Sequence, residues 1–542
     1  MGFAFCWLML VMVLMAGRHP TPSRAGTTIV LPEWTSSSAI SDVFVVRNVP
    51  VPTHSLEGGD LPPGVGAEEA FSDAGIDALV ALMASRNTPF YRTEATPNGL
   101  FGSEDVVVIK INNQWSYGPT QRYNHTRVDL VKGLIYKLVE HPDGFTGAVI
   151  IGENTQGMRP DLDTPDYNNA EDPLTSYQDV VNAFASEGYP VATSYWDAFA
   201  SYFVTEFSEG NAEDGYVTGP ALGGAGANEL SWPKFSLEVG GTTFHISLRY
   251  GLWNGDAYEP DRLKMINFPV MKAHGMAGAT LALKNYIGFL TITNPDPLFA
   301  DWDEMHGYFW GYQDQHVGYG LLGRQIAQVR RADLDIIDAI WINPAGNTDD
   351  ADSCVREDLI LAGTDPVALD YYASSRVLSQ VAFYPADVSA ATQGGTFRNF
   401  MLCLENRLRS EGLTDIIDLD DSMTQSQEEA QFNVFVADAA GPVPSTPTPT
   451  QSVAFTPSPT QTPSPVPSET PTSTEVVVAT ETETPLFVPS ATPMGTIDFV
   501  PDCKIDTLDL MTLLHNAHAE NYPPGYFFDF GRFWHASCEE GM

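Results

Sequence analysis

The sequence predicts an α/β body in which a mainly parallel sheet carries helices on both faces. Short β-rich runs alternate with longer runs of helical spacing along residues 42–378, the rhythm of a sheet whose strands are joined by crossover helices. An aromatic- and glycine-rich stretch, 157–260, breaks that rhythm and reads as an insertion. Past residue 440 the composition turns to Pro and Thr, with almost nothing that could fill a core.

Each element follows from its residues. "DVFVVRN" (42–48) and "DVVVIKIN" (105–112) are strands. "AEEAFSDAGIDALVALMASR" (67–86) and "TRVDLVKGLIYKLVEHPDG" (126–144) have helical spacing, the second with Thr126 placed as its N-cap. "GAVIIGEN" (147–154) is a strand, followed by a helix near 176–187. After the insertion, read as a lid or as a subdomain with its own small core, come the strands "DRLKMINFPV" (261–270), "DLDIIDAIWIN" (333–343) and "DLILAGTD" (358–365). Asp365 then caps a helix with Pro366 at its first position.

The Pro/Thr stretch, 441–494, reads as an extended linker between a body, 27–440, and a small helical tail, 495–542. In the tail, "DFVPDCKIDTLD" sets Asp498, Asp502, Lys504, Asp506 and Asp509 at loop positions 1, 5, 7, 9 and 12. A calcium loop places side-chain oxygens at such positions, a backbone carbonyl at the seventh and a carboxylate at the last. Two related segments, "LDLMTLLH" and "FDFGRFWH", follow. The tail resembles the dockerin module of exported bacterial proteins, which implies calcium there and a protein docking partner. It departs from the pattern at Val500, which cannot ligate, and at Cys503, where the loop wants glycine.

The chain has 27 basic against 69 acidic residues, a formal charge of −42. That balance argues against nucleic acid, which needs a cationic footprint, and against an anionic membrane surface. The apolar run "FAFCWLMLVMVLMAG" within residues 1–26 reads as a signal peptide. The expectation is a secreted or cell-surface protein with no membrane partner once that segment is removed. Cys354 with Cys403, and Cys503 with Cys538, are the expected disulfides of an exported chain. The sequence contains no C-x-x-C, which argues against a cysteine-ligated iron–sulfur cluster. Any other cofactor is open.

Ligands of parallel α/β sheets collect beyond the carboxyl ends of the strands. Polar residues stand there: Lys110 and Asn112, Gly152 to Asn154, Lys272 and His274, Asn343, and Gly363 to Asp365. The lysines matter most, because the chain has eight in all and spends few on its surface. Lys272 and Lys284 flank "AHGMAGATLAL", which reads as a tight loop entering a helix near Ala279 or Thr280. Such a helix start, with Lys272, Lys284, His274 and Asn285 around it, would form a seat for a carboxylate or phosphate. The competing reading pairs the two lysines with Asp335 or Asp338 as structural ion pairs.

"VVVIKIN", "NHTRVDLVKGLI", "INFPVMKAHGMAGATLALKNYIGFL", "DLDIIDAIWIN" and "LILAGTDPVALD" together resemble domain-of-unknown-function family 362 over residues 100–380. The resemblance implies that Lys110, Lys272, His274, Lys284, Asn285 and Asp365 fall in recurring blocks. Many members carry a ferredoxin-like cluster module; the cysteine runs of that module are absent from this sequence.

Three functions are compatible with these residues. The first is an exported protein that binds a small anionic ligand or substrate group through Lys110, Asn112, Asn285, Asn343 and Asp365, with acid–base catalysis by His274, Lys272 and Lys284. The second is a non-catalytic ligand-binding or surface-display protein. The third is a redox partner that takes its cluster or metal from elsewhere.

Overall fold

The computed structural model describes residues 29–439 except 114–122, 156–161, 164–171, 173, 209, 220–229, 276, 291–319 and 347–353. All lie within the first of two units into which the chain divides, Met1–Gln451. The expected signal segment, Cys503, Cys538 and the expected calcium positions Asp498, Asp502, Lys504, Asp506 and Asp509 lie outside the described residues.

In chain order the strands begin with β1 (Ser41–Arg47), β2 (Tyr91–Arg92), β3 (Phe101–Gly102), β4 (Val106–Ile111), β5 (Ala148–Glu153) and β6 (Val191–Tyr195). β7 (Gly215–Thr218), β8 (Ser231–Val239), β9 (Thr242–Ser247), β10 (Gly251–Trp253) and β11 (Tyr258–Glu259) follow. The last are β12 (Leu263–Phe268), β13 (Val270–His274), β14 (Gly278–Thr280), β15 (Leu334–Asn343), β16 (Val355–Gly363) and β17 (Phe432–Asp438). The main sheet runs β17-β1-β16-β15-β12-β4-β5-β6, with β13 beside β15 and β14 beside β13. β15, β12, β4, β5 and β6 are parallel, and β17 is parallel to β1. β16 runs antiparallel to both β15 and β1. The predicted α/β class holds.

The sheet is buried on both faces, which is why its strands are apolar at consecutive positions. In β4, Val106 and Val108 feed one core while Val107, Ile109 and Ile111 feed the other. The second core is closed by α1 (Ala74–Ser85), α2 (Val128–Val139) and α3 (Tyr177–Ser186), through residues such as Leu79, Leu134 and Phe184. α4 (Ala282–Asn285), α5 (Leu321–Gln328), α6 (Pro366–Tyr372) and α7 (Thr396–Ser410) cover the first.

Local chemistry sets the helix starts. The Asp73 carboxylate accepts the Ile76 N–H at 2.9 Å, and Ser176 with Asp179 forms a reciprocal capping box on α3. Thr126 is not the cap of α2, which begins at Val128 after Arg127. Its hydroxyl instead donates to the Phe268 carbonyl and accepts the Asn112 N–H, tying three segments together.

The stretch 157–260 divides in two. α3 and β6 continue the main α/β rhythm, whereas β7–β11 form a separate antiparallel sheet in the order β11-β10-β9-β8-β7. That sheet has no core of its own: Tyr216, Trp232, Phe235 and Ile246 share one with Val106, Val108 and Ile150. The insertion is therefore shorter than the aromatic composition implies. Cys354 and Cys403 are not joined either. Both are thiols, Cys403 buried on α7 and Cys354 half-buried just before β16. The core on which α7 packs is apolar and closes without a covalent tie.

Candidate functional site

β12 and β13 lie one after the other along the same side of β15. Asn267 pairs with Asp335 near the start of β15, and Lys272 with Asn343 at its end. Pro269 separates them; it supplies no N–H, and its carbonyl accepts the Asp338 N–H. β4 follows β12 as far as Ile111 beside Phe268. Beyond that point the chain of β4 and the strand β13 part, and polar side chains fill the division.

Lys110, at the end of an otherwise apolar strand, is 1 % exposed. Its Nζ donates to both Glu153 carboxylate oxygens at 3.1 Å, to the Ile111 carbonyl at 2.8 Å and to Asn285 Oδ1 at 3.0 Å. Burial pushes the Glu153 carboxyl up to about 8 and the Lys110 amine down, while each favours the charged form of the other. The pair is net neutral whether ionised or sharing its proton. Gly288 allows this geometry, since a Cβ there would lie 2.4 Å from Lys110 Nζ.

A network of amides extends from this pair. Asn112 Nδ2 also donates to Asn285 Oδ1 at 2.9 Å. Asn285 Nδ2 donates to Asn267 Oδ1 at 2.7 Å, and Asn267 Nδ2 donates to Asp335 Oδ1 at 2.7 Å and to the Ala282 carbonyl at 2.9 Å. On the other side Lys272 Nζ donates to Asn112 Oδ1 at 3.3 Å and to the Asn124 carbonyl at 3.2 Å. Asn343 Nδ2 donates to Asn124 Oδ1 at 2.7 Å. Lys110, Asn112, Lys272 and Asn343, expected together at the strand ends, thus belong to one cluster, and Asn285 joins it.

Lys272 and Lys284 differ from Lys110 in having no carboxylate partner among the described residues. Burial lowers the Lys272 amine to about 7, with Glu153 opposing and Lys110 adding to the shift. Burial also lowers Lys284 to about 7, reinforced by Lys272 and Lys110, with no opposite charge or hydrogen bond among the described residues to offset it. The ion-pair alternative fails on specific bonds: Asp335 accepts from Asn267, and Asp338 accepts the backbone N–H groups of Arg127 and Ile340. Thr280 stands directly across the β13–β14 pair from Lys272. It is 3 % exposed, and its hydroxyl has no hydrogen-bond partner among the described residues.

Three sequence expectations are corrected here. No helix begins near Ala279 or Thr280: both lie in β14, and α4 spans only four residues from Ala282. The first N–H groups of α4, from Ala282 and Leu283, are taken by the Asp370 carboxylate at 2.8 and 2.9 Å, so they offer nothing to a ligand. Asp365 is not with the cluster. Because β16 is antiparallel, its end lies beside Asp335 at the start of β15, away from Asn343. Its carboxylate accepts from Val367 N, Ala368 N, Ile417 N and Ser41 Oγ, a structural cap.

His274 lies two residues beyond Lys272 on β13, buried, and its Nδ1 accepts the Ala277 N–H at 3.0 Å. That bond makes Nδ1 an acceptor. Glu153 stands at a strand end as expected, whereas Thr280, Asn124, Asn267 and Asp370 were not predicted as site residues. Two of them leave a trace in sequence: Asn267 in "MINFPV" and Asp370 in "PVALDYY" are polar residues inside apolar runs, where burial demands a partner.

Among the described residues no group of three His, Cys, Asp or Glu side chains could hold a metal ion, and no helix is long and apolar enough to cross a membrane. A separate cleft lined by Gln393, Arg398, Asp421 and Glu428 has its charges paired internally, Arg398 with Glu428 at 2.7 Å and with Asp421 at 3.2 Å.

The family model "Domain of unknown function (DUF362)" matches residues 257–375. This segment contains Lys272, His274, Thr280, Lys284, Asn285 and Asn343. Lys110, Asn112 and Glu153 lie outside it, so the match is narrower than the resemblance over 100–380. No curated protein and no solved structure matches the chain.

Proposed function

We propose that the α/β body binds a small anionic ligand, a carboxylate or a phosphate, at the division between β4 and β13. The observation that supports this most is the pair of buried lysines, Lys272 and Lys284, with no carboxylate partner among the described residues, and the unbonded Thr280 hydroxyl across from Lys272. A buried ammonium costs free energy unless it is paired, and an anion would provide the missing partner. Lys272, Lys284 and Thr280 are the donors to it. Asn112 and Asn285 stand between Lys272 and Lys110, and Glu153 offsets the charge of Lys110 so that the seat carries chiefly the charge of two lysines and not three.

The same residues are suited to proton exchange. An amine titrating near 7 is populated in both forms at neutral pH, which is the condition for general acid–base work. The apolar N-terminal run and the Pro/Thr linker support action outside the cell, with the tail as a docking module.

Calorimetric titration of the full chain with inorganic phosphate, acetate and succinate tests this reading. Binding is expected for at least one anion, weakening as pH rises through about 7, where the lysines lose their protons. Lys272→Met should weaken it tenfold or more. Affinity that is unchanged by Lys272→Met, or that is flat across pH 6 to 9, would overturn the assignment.

A further inference from the structure

We infer that Lys284 is a nucleophilic amine that forms an imine with the carbonyl carbon of a small oxo-acid, held by its anionic end on Lys272 and Thr280. This rests on the anion seat and extends it by naming the reacting atom and the substrate class. Lys284 directly precedes Asn285, which is joined through Asn112 to Lys272, and the two lysines have different surroundings. Lys272 Nζ is fixed by Asn112 Oδ1 and the Asn124 carbonyl, which makes it a positioned cation. Lys284 makes no hydrogen bond or ion pair among the described residues, so its nitrogen lone pair is uncommitted when the amine is neutral.

Its position on the chain is nevertheless fixed. α4 is pinned at its start by Asp370 through the Ala282 and Leu283 N–H groups, and at its end by Asn285, which bonds Lys110, Asn112 and Asn267. A lysine between two such anchors presents its amine at a defined place. Neighbouring cations and a dry environment keep a lysine amine unprotonated, and this is how nucleophilic lysines are prepared; here burial acts first, then Lys272, with Lys110, whose charge Glu153 offsets, adding least.

The step balances within these groups. Neutral Lys284 Nζ attacks the carbonyl carbon; the C–N bond forms as the C–O π bond breaks, and one Nζ proton passes to the oxygen to give a neutral carbinolamine. The nitrogen lone pair then expels the oxygen, which takes a second proton from the Lys272 ammonium and leaves as water, and a protonated imine remains. Lys272 suits this chemistry, because it can lend the proton and recover one from solvent. No oxidant or reductant is needed.

The test treats the full chain at pH 7 with pyruvate or glyoxylate and borohydride, then maps peptides by mass. The expected result is a secondary amine on Lys284, heavier by the acid less one oxygen, in preference to the other lysines, suppressed by excess inorganic phosphate and absent from Lys284→Met. Phosphate binding without an adduct at Lys284, or with adducts spread evenly over the lysines, overturns the imine and leaves the seat standing. Failure of both phosphate binding and trapping overturns both. Because the adduct is located in the wild-type protein, the inference does not depend on any variant folding.

Discussion

Burial acts on Lys284 without compensation among the described residues, and the consequence for stability has a definite sign. In the unfolded chain the amine titrates at its ordinary 10.5, and in the fold at about 7. Between those values the unfolded chain holds the extra proton, so this group makes stability rise with pH from about 7 upward. Below 7 the full cost of the buried charge is present. A tenfold change in proton affinity corresponds to about 1.4 kcal/mol, so the cost is large enough to measure. Lys284→Met should melt above the wild type at pH 6, by about 2–4 °C for each kcal/mol regained, and the advantage should shrink toward pH 10. A Met variant that melts well below the wild type at pH 6 would show that the lysine has an ionic partner in the fold. At this scale the sequence was informative about which residues matter, because scarce lysines in apolar runs are conspicuous. It was silent about Thr280, whose hydroxyl has nothing to mark it among small residues.

At the scale of elements, the site depends on how α4 and the β13–β14 pair are held. Asp370 satisfies two buried N–H groups at once. Asp370→Ala leaves both unpaired and should cost about 2–6 kcal/mol in urea unfolding, at about 1–3 kcal/mol for each orphaned group. Asp370→Asn, which keeps one acceptor, should cost less. Gly288→Ala tests a different contact. Its Cβ would lie 2.5 Å from Lys110 Cε as well as 2.4 Å from Nζ, so the Lys110–Glu153 pair must move. Anion affinity should then fall more than stability does, which titration and melting of the same variant will show. The strand-end rule brought Lys110, Asn112, Lys272 and Asn343 together because it depends on strand direction, and most of these strands are parallel. It failed for Asp365 because nothing in "DLILAGTD" distinguishes an antiparallel strand from a parallel one. It also misread "GMAGAT" as a helix start, since small residues suit a tight strand pair as well as a loop.

For the whole molecule, the buried carboxylates and the buried lysines act on stability in opposite pH ranges. Glu153 is raised to about 8, and Asp335 and Asp338 to about 7, by burial first of all. Over the range between ordinary carboxylate values and these, the fold holds protons that the unfolded chain has lost, so stability falls as pH rises from about 4 to about 8. Lys272 and Lys284 reverse the trend above 7. Denaturant unfolding of the full chain should therefore show a stability minimum between about pH 7 and 8, and a smooth maximum there would contradict these burials. The α/β class was legible because apolar strands and amphipathic helices alternate visibly. The second sheet's dependence on the main core was not, because aromatic residues say that a surface is covered but not by what.

The most direct measurement is a 13C NMR titration of the full chain labelled at lysine Cε, with and without inorganic phosphate. With eight lysines in the chain the resonances can be assigned by substitution. Two, assigned to Lys272 and Lys284, should titrate near pH 7 in the free protein. When phosphate saturates the site, their midpoints should rise by about 1 pH unit or more, because an anion favours the charged amine. Lysines that all titrate above pH 9, or two low values that phosphate leaves in place, would contradict the anion seat.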